Sequence, residues 1–66
     1  MRFPLGPGDE GPVISEVQKR LGVFPSSGVF DDRLLARVRG WQLRAGEPVD
    51  GLIYQSTLEG LGVDPS

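Results

Sequence analysis

The sequence predicts an all-α fold: a compact three-helix bundle with short Gly-apolar-apolar hooks between the helices. Three observations carry that prediction. Three segments show apolar residues at helical spacing, each is closed by glycine with proline close behind, and a Gly-apolar-apolar element recurs between them. The 66 residues make one domain, with a core expected over about 5–62. A chain this short buries only about 60% of the surface its unfolded form exposes, so its stability is marginal.

The opening stretch 1–11 is rich in proline and glycine and reads as an extended lead-in. Pro12 suits a first helical turn, where its missing N–H costs nothing. Val13, Val17 and Leu21 then recur at i, i+4 and i+8, with Ile14 beside them. That is one face of a short helix. Gly22 and Pro25 stop it. After a Ser26-Ser27-Gly28 turn comes the first hook, Val29-Phe30, and then Asp31 as an N-cap.

The second helix is predicted over about 32–45, with Leu34, Val38, Trp41 and Ala45 as its apolar stripe. Gly40 falls on its outer side. Gly46 and Pro48 end it. The turn Val49-Asp50-Gly51 leads to the second hook, Leu52-Ile53. A last helix follows over about 54–61, with Tyr54, Leu58 and Leu61 on one face. Ser56-Thr57-Leu58-Glu59 also fits a capping box, which starts that helix later. Two echoes tie the chain together. Leu35 and Leu58 stand at one offset from the two hooks, as buried leucines, and Leu21-Gly22-Val23 recurs as Leu61-Gly62-Val63.

Composition narrows the function. The chain has no cysteine and no histidine, which removes disulfides, thiolate metal sites and the commonest acid/base. No metal site and no cofactor are expected. A net charge of −2 speaks against a nucleic-acid partner. No run approaches the roughly 18 apolar residues of a membrane helix. The first residues lack the apolar stretch of a secretion signal. From Met1 the chain reads as a complete small protein. The neighbouring carboxylates Asp9-Glu10 and Asp31-Asp32 do not face each other across a substrate as a glycosidase pair must. No Ser or Thr has a histidine to activate it. A non-catalytic role is expected.

Six elements then occur in order: Gly8-Asp9-Glu10-Gly11-Pro12-Val13, Val17-Gln18-Lys19-Arg20-Leu21-Gly22, Gly28-Val29-Phe30-Asp31, Val38-Arg39-Gly40-Trp41-Gln42, Val49-Asp50-Gly51-Leu52-Ile53 and Thr57-Leu58-Glu59-Gly60-Leu61-Gly62. Together they resemble the peptidoglycan-binding domain family over about residues 5–62. The resemblance implies a three-helix module that attaches to bacterial cell wall without catalysis. The chain departs from the family pattern at Trp41, at Tyr54-Gln55 and at Leu58; Tyr54 and Leu58 fall close to the family's ligand groove.

The candidate ligand-binding residues are Arg37, Gln42, Arg44, Asp50, Tyr54 and Thr57, on a shallow surface near the second and third helices. Arg33, Arg37 and Arg44 share one edge of the second helix, either as a solvated face or as a grip for carboxylates. Gln42 and Thr57 either bond a peptide stem or satisfy local backbone. Asp50 serves its turn. Trp41 is expected in the core, while the Tyr54 hydroxyl either packs with its neighbours or contacts ligand. The partner implied is bacterial peptidoglycan. The alternative is a small phage virion structural or adaptor protein that reuses the fold against virion proteins. Its exposed apolar patch would lie around Phe3, Leu5, Val23, Phe24 or Leu43. The expected location is the bacterial wall or a phage virion.

Overall fold

The structure, a computed structural model, describes residues 2–65. Three helices follow in chain order: α1 (Pro12–Arg20), α2 (Asp32–Ala45) and α3 (Gln55–Leu61). The fold is the all-α three-helix architecture that the stripes predict. Pro12 occupies the first turn of α1. α2 starts where Asp31 Oδ1 accepts from the Leu34 N–H at 3.0 Å, which satisfies one of the helix's unpaired donors. α3 starts at Gln55, so the later start offered by Ser56 is not used. Thr57 Oγ1 instead accepts from the Tyr54 N–H at 3.0 Å, which fixes the helix entrance two residues earlier.

Ile14 and Val17 of α1, Leu34 and Val38 of α2, and Leu58 of α3 meet in the core with Phe30 and Ile53 of the hooks. Only the second apolar residue of each hook is buried. Val29 is exposed and Leu52 half-buried, because successive side chains of an extended segment point to opposite sides. Leu34 is in the core, as its stripe predicts, whereas Leu35, expected as a buried leucine, packs only at the core's edge. The α2 stripe also differs. Its buried row is Leu34, Val38, Gln42, while Ala45 is exposed and Trp41 half-buried. Trp41 lies instead against α3, where a Cβ added to Gly60 would come within 2.6 Å of Trp41 Cζ2. Leu5 and Val23, expected in an exposed patch, are buried.

Two buried glutamines organise the rest. Gln18 is 0% exposed and Gln42 1%. Gln18 Oε1 accepts from the Gly28 N–H at 2.8 Å, and its Nε2 donates to the Val29 carbonyl at 3.0 Å. Gln42 repeats this on the second hook: Oε1 accepts from the Gly51 N–H at 2.8 Å, and Nε2 donates to the Leu52 carbonyl at 3.0 Å. Each hook is tied once more. Ser27 Oγ accepts from the Val29 N–H at 3.2 Å, and Asp50 Oδ1 from the Leu52 N–H at 2.9 Å.

The lead-in segment closes the other edge of both hooks. Leu5 and Ile53 exchange two backbone bonds of 2.8 Å, Gly11 N–H donates to the Gly28 carbonyl at 2.8 Å, and Phe30 N–H to the Asp9 carbonyl at 2.9 Å. Hook backbone that would otherwise be buried and unpaired is thereby satisfied from two sides.

The helix ends show the same repeat. Val23, Glu47 and Val63 donate back to the carbonyls of Gln18, Gln42 and Leu58 at 2.8, 3.0 and 2.9 Å. Gly22, Gly46 and Gly62 turn each chain at φ 75°, 73° and 73°. The residue four before the glycine is the clamping glutamine in α1 and α2. In α3 it is Leu58, and no third hook follows among the described residues.

Replacing Gln18 or Gln42 by Ala strands a buried N–H and a buried carbonyl. Each variant is expected to lose about 3 kcal/mol in urea unfolding followed by circular dichroism. Two glycine variants should move in opposite directions. Gly40→Ala meets nothing within 4 Å and should gain up to about 1 kcal/mol from helix propensity. Gly60→Ala meets the Trp41 ring and should lose about 1–3 kcal/mol, with a shift in the fluorescence of the sole tryptophan.

Candidate functional site

The second hook and the ends of the helices it joins enclose a shallow cleft of about 250 Å³. Glu47 and Pro48 come from the end of α2, Asp50 from the hook, and Tyr54 and Ser56 from the start of α3, with Gln42 contributing from beneath. The cleft exists because three local devices converge there. Gly46 turns the chain out of α2, Gln42 pins Gly51, and Thr57 sets the entrance of α3.

Asp50 is the junction. Its Oδ1 accepts from the Leu52 N–H and, at 3.0 Å, from Gln42 Nε2. Its Oδ2 accepts from the Tyr54 hydroxyl at 2.6 Å. A buried carboxamide therefore holds a carboxylate, and the carboxylate holds an aromatic ring at the rim. Tyr54 is 37% exposed, so the ring remains open to a ligand while its hydroxyl is anchored. Ser56 Oγ donates to Glu47 Oε1 at 3.4 Å across the cleft.

The bond between Tyr54 and Asp50 shifts both groups. The hydrogen bond donated by the phenol, followed by those from the Leu52 N–H and the Gln42 amide, holds the Asp50 carboxyl below its ordinary value. The same bond raises the Tyr54 hydroxyl above its ordinary 10.0, and the nearby carboxylate charge adds to the rise. At neutral pH the cleft therefore presents the negative charge of Asp50 beside a neutral phenol.

The six candidate residues do not form one surface. Asp50 and Tyr54 come together in the cleft. Gln42 is buried behind them, with its amide committed to Gly51, Leu52 and Asp50. Thr57 is buried and serves the Tyr54 N–H. These two take the local-backbone role. Arg37 lies elsewhere, lining a separate depression with Gly22, Val23, Phe24, Arg33 and Ala36, and donating to the Leu21 carbonyl at 3.3 Å. Arg44 is exposed and lines neither. Leu58 is in the core and not in a groove.

Gln18, Glu47, Pro48 and Ser56 are not among the site candidates that the sequence offers. Gln18 had a signal, since it repeats Gln42 in lying four residues before a helix-ending glycine. The other three had none, because ordinary loop residues become cleft walls only through the packing of two helix ends. Among the described residues no group of His, Cys, Asp and Glu is placed to hold a metal ion. Among the described residues no helix is long and apolar enough to cross a membrane. No family model, no curated protein and no solved structure gives a significant match to this chain.

The sole tyrosine lets the anchor be read directly. Ultraviolet titration should place the Tyr54 transition above 10.0 in the native protein and return it towards that value in Asp50→Ala. The depressed Asp50 carboxyl gives the complementary acid limb. Its contribution to stability is present above the unfolded-state value near 3.8 and is lost as pH falls through the lower folded-state value. Asp50→Asn should flatten that limb of the unfolding curve.

Proposed function

We propose that the chain is a non-catalytic module that binds bacterial peptidoglycan, with the wall glycopeptide seated in the Asp50–Tyr54 cleft. The observation that carries this reading is the Tyr54 ring, partly exposed at the rim and fixed through Asp50 to the buried Gln42. A ring already held in place loses little freedom on binding, so stacking against the C–H face of a sugar is not offset by ordering the side chain. The spare lone pairs of Asp50 and the carboxylate of Glu47 accept from sugar hydroxyls, amide N–H groups or an amine of the peptide stem. The ordered motifs that resemble the peptidoglycan-binding family support the same reading.

A second reading has its own observation. Phe24 and Leu43 are large apolar side chains that are 66% and 73% exposed, a liability that a protein partner would relieve. On that reading the fold is reused as a small phage virion structural or adaptor protein.

Sedimentation with purified insoluble peptidoglycan tests the first reading, with an unrelated helical bundle as control. The protein should be enriched in the pellet at low micromolar concentration, and Tyr54→Ala should weaken retention about tenfold. A wild-type protein that stays in the supernatant with the control overturns wall binding.

A further inference from the structure

The outer side of α2 carries two parallel rows that the cleft does not use. Arg33, Arg37 and Arg44 fall within about 40° of one another around the helix axis at 100° per residue. Along the axis they stand about 6 and 10.5 Å apart, at 1.5 Å per residue. No acid lies between residues 33 and 46. α2 holds four of the seven basic residues of the chain and one of its nine acids, in a protein whose net charge is −2. The acidic excess lies outside this helix.

Beside the basic row runs an apolar one. Phe24 shares a depression with Arg33, Ala36 and Arg37. Leu43 stands seven residues after Ala36, two helical turns along the same side. Gly40, which has nothing within 4 Å of an added Cβ, leaves an open step between them. The guanidinium groups are lightly engaged. Arg37 gives one N–H to the Leu21 carbonyl, and Arg33 Nε stands 3.9 Å from Asp31 Oδ2. Arg44 makes no hydrogen bond or ion pair with any described residue. An arginine has five N–H donors, so most of the donors along this row face solvent.

We infer that this edge of α2 is a docking surface for an acidic protein segment carrying apolar anchors. Charge complementarity specifies the acids: carboxylates spaced over about 16 Å pair with the three arginines, the span of three helical turns or of five extended residues. Arginine forks favour carboxylates in such a setting. The apolar row decides the kind of partner. A polyanion of phosphates or sulfates has no side chain with which to cover Phe24 and Leu43, whereas a protein segment does. The acidic remainder of the chain repels a long polyanion that overruns the edge. The edge shares no residue with the Asp50–Tyr54 cleft and stands independently of wall binding.

Selection of random peptides displayed on a library against the immobilised protein tests the assignment. Enriched sequences should carry net negative charge together with Leu or aromatic residues. Their binding, read by fluorescence anisotropy on synthetic copies, should weaken at least about tenfold in the triple variant Arg33→Gln, Arg37→Gln, Arg44→Gln and in Leu43→Ser. It should survive in Tyr54→Ala, which separates this edge from the cleft. Raising the salt concentration should weaken it too. These positions are exposed, so circular dichroism of the variants should match the native spectrum. Three results overturn the inference: no enrichment; enriched peptides of neutral or basic character; or heparin binding the edge as tightly as the selected peptides, which marks a general polyanion surface.

Discussion

The structure depends on backbone that must be buried without a helix or sheet to pair it. The two hooks insert Phe30 and Ile53 between the helices, and their peptide groups enter the interior with them. A core this small has no spare layer in which to pair those groups. Gln18 and Gln42 solve the problem with one carboxamide per hook, accepting an N–H and donating to a carbonyl one residue on. Buried and fully partnered, each amide specifies one position of the chain. The lead-in segment completes the pairing from the far side and turns an irregular stretch into a strap across both hooks.

The same device has different consequences in its two copies. At the first hook the third partner of the amide is Ser27, a neutral hydroxyl at 3.4 Å. At the second it is Asp50, a carboxylate with another oxygen still to place. That oxygen takes the Tyr54 hydroxyl. Two differences in the repeat, aspartate at the position of Ser27 and tyrosine at the position of Asp31, thus convert a structural clamp into an anchored aromatic rim. In α3 the clamp is absent because Leu58 takes its place, and that side chain joins the core instead.

The molecule consequently has two unlike faces. The cleft at the second hook is acidic and carries an ordered aromatic ring. The outer edge of α2 is basic, with open apolar side chains beside it. Gln42 lies close to Arg44 in sequence, yet one points into the core and the other to solvent, because two helical positions apart means opposite sides. Sequence proximity therefore gathers Arg37, Gln42, Arg44, Asp50 and Tyr54 into one candidate surface, and the helix separates them.

The amino-acid sequence by itself determined what depends on near neighbours. The limits of α2, the Asp31 cap, the Pro12 start and the glycine stops are all legible, because each rests on bonds within a turn or two of the residue concerned. The Asp50 turn was legible for the same reason. Tertiary structure decided whatever depends on which surface lies opposite. Gln42 reads as bonding either a ligand or nearby backbone until the second hook is found nine residues away to receive it, and Gln18 is held in the same way by the first hook ten residues away. Trp41 reads as core until Gly60 offers it a flatter seat on α3. Leu5 and Val23 read as exposed until the strap and the α1 end fold over them. Hydrogen bonds and burial across such separations leave no periodic trace in the chain, so only the assembled fold reveals them.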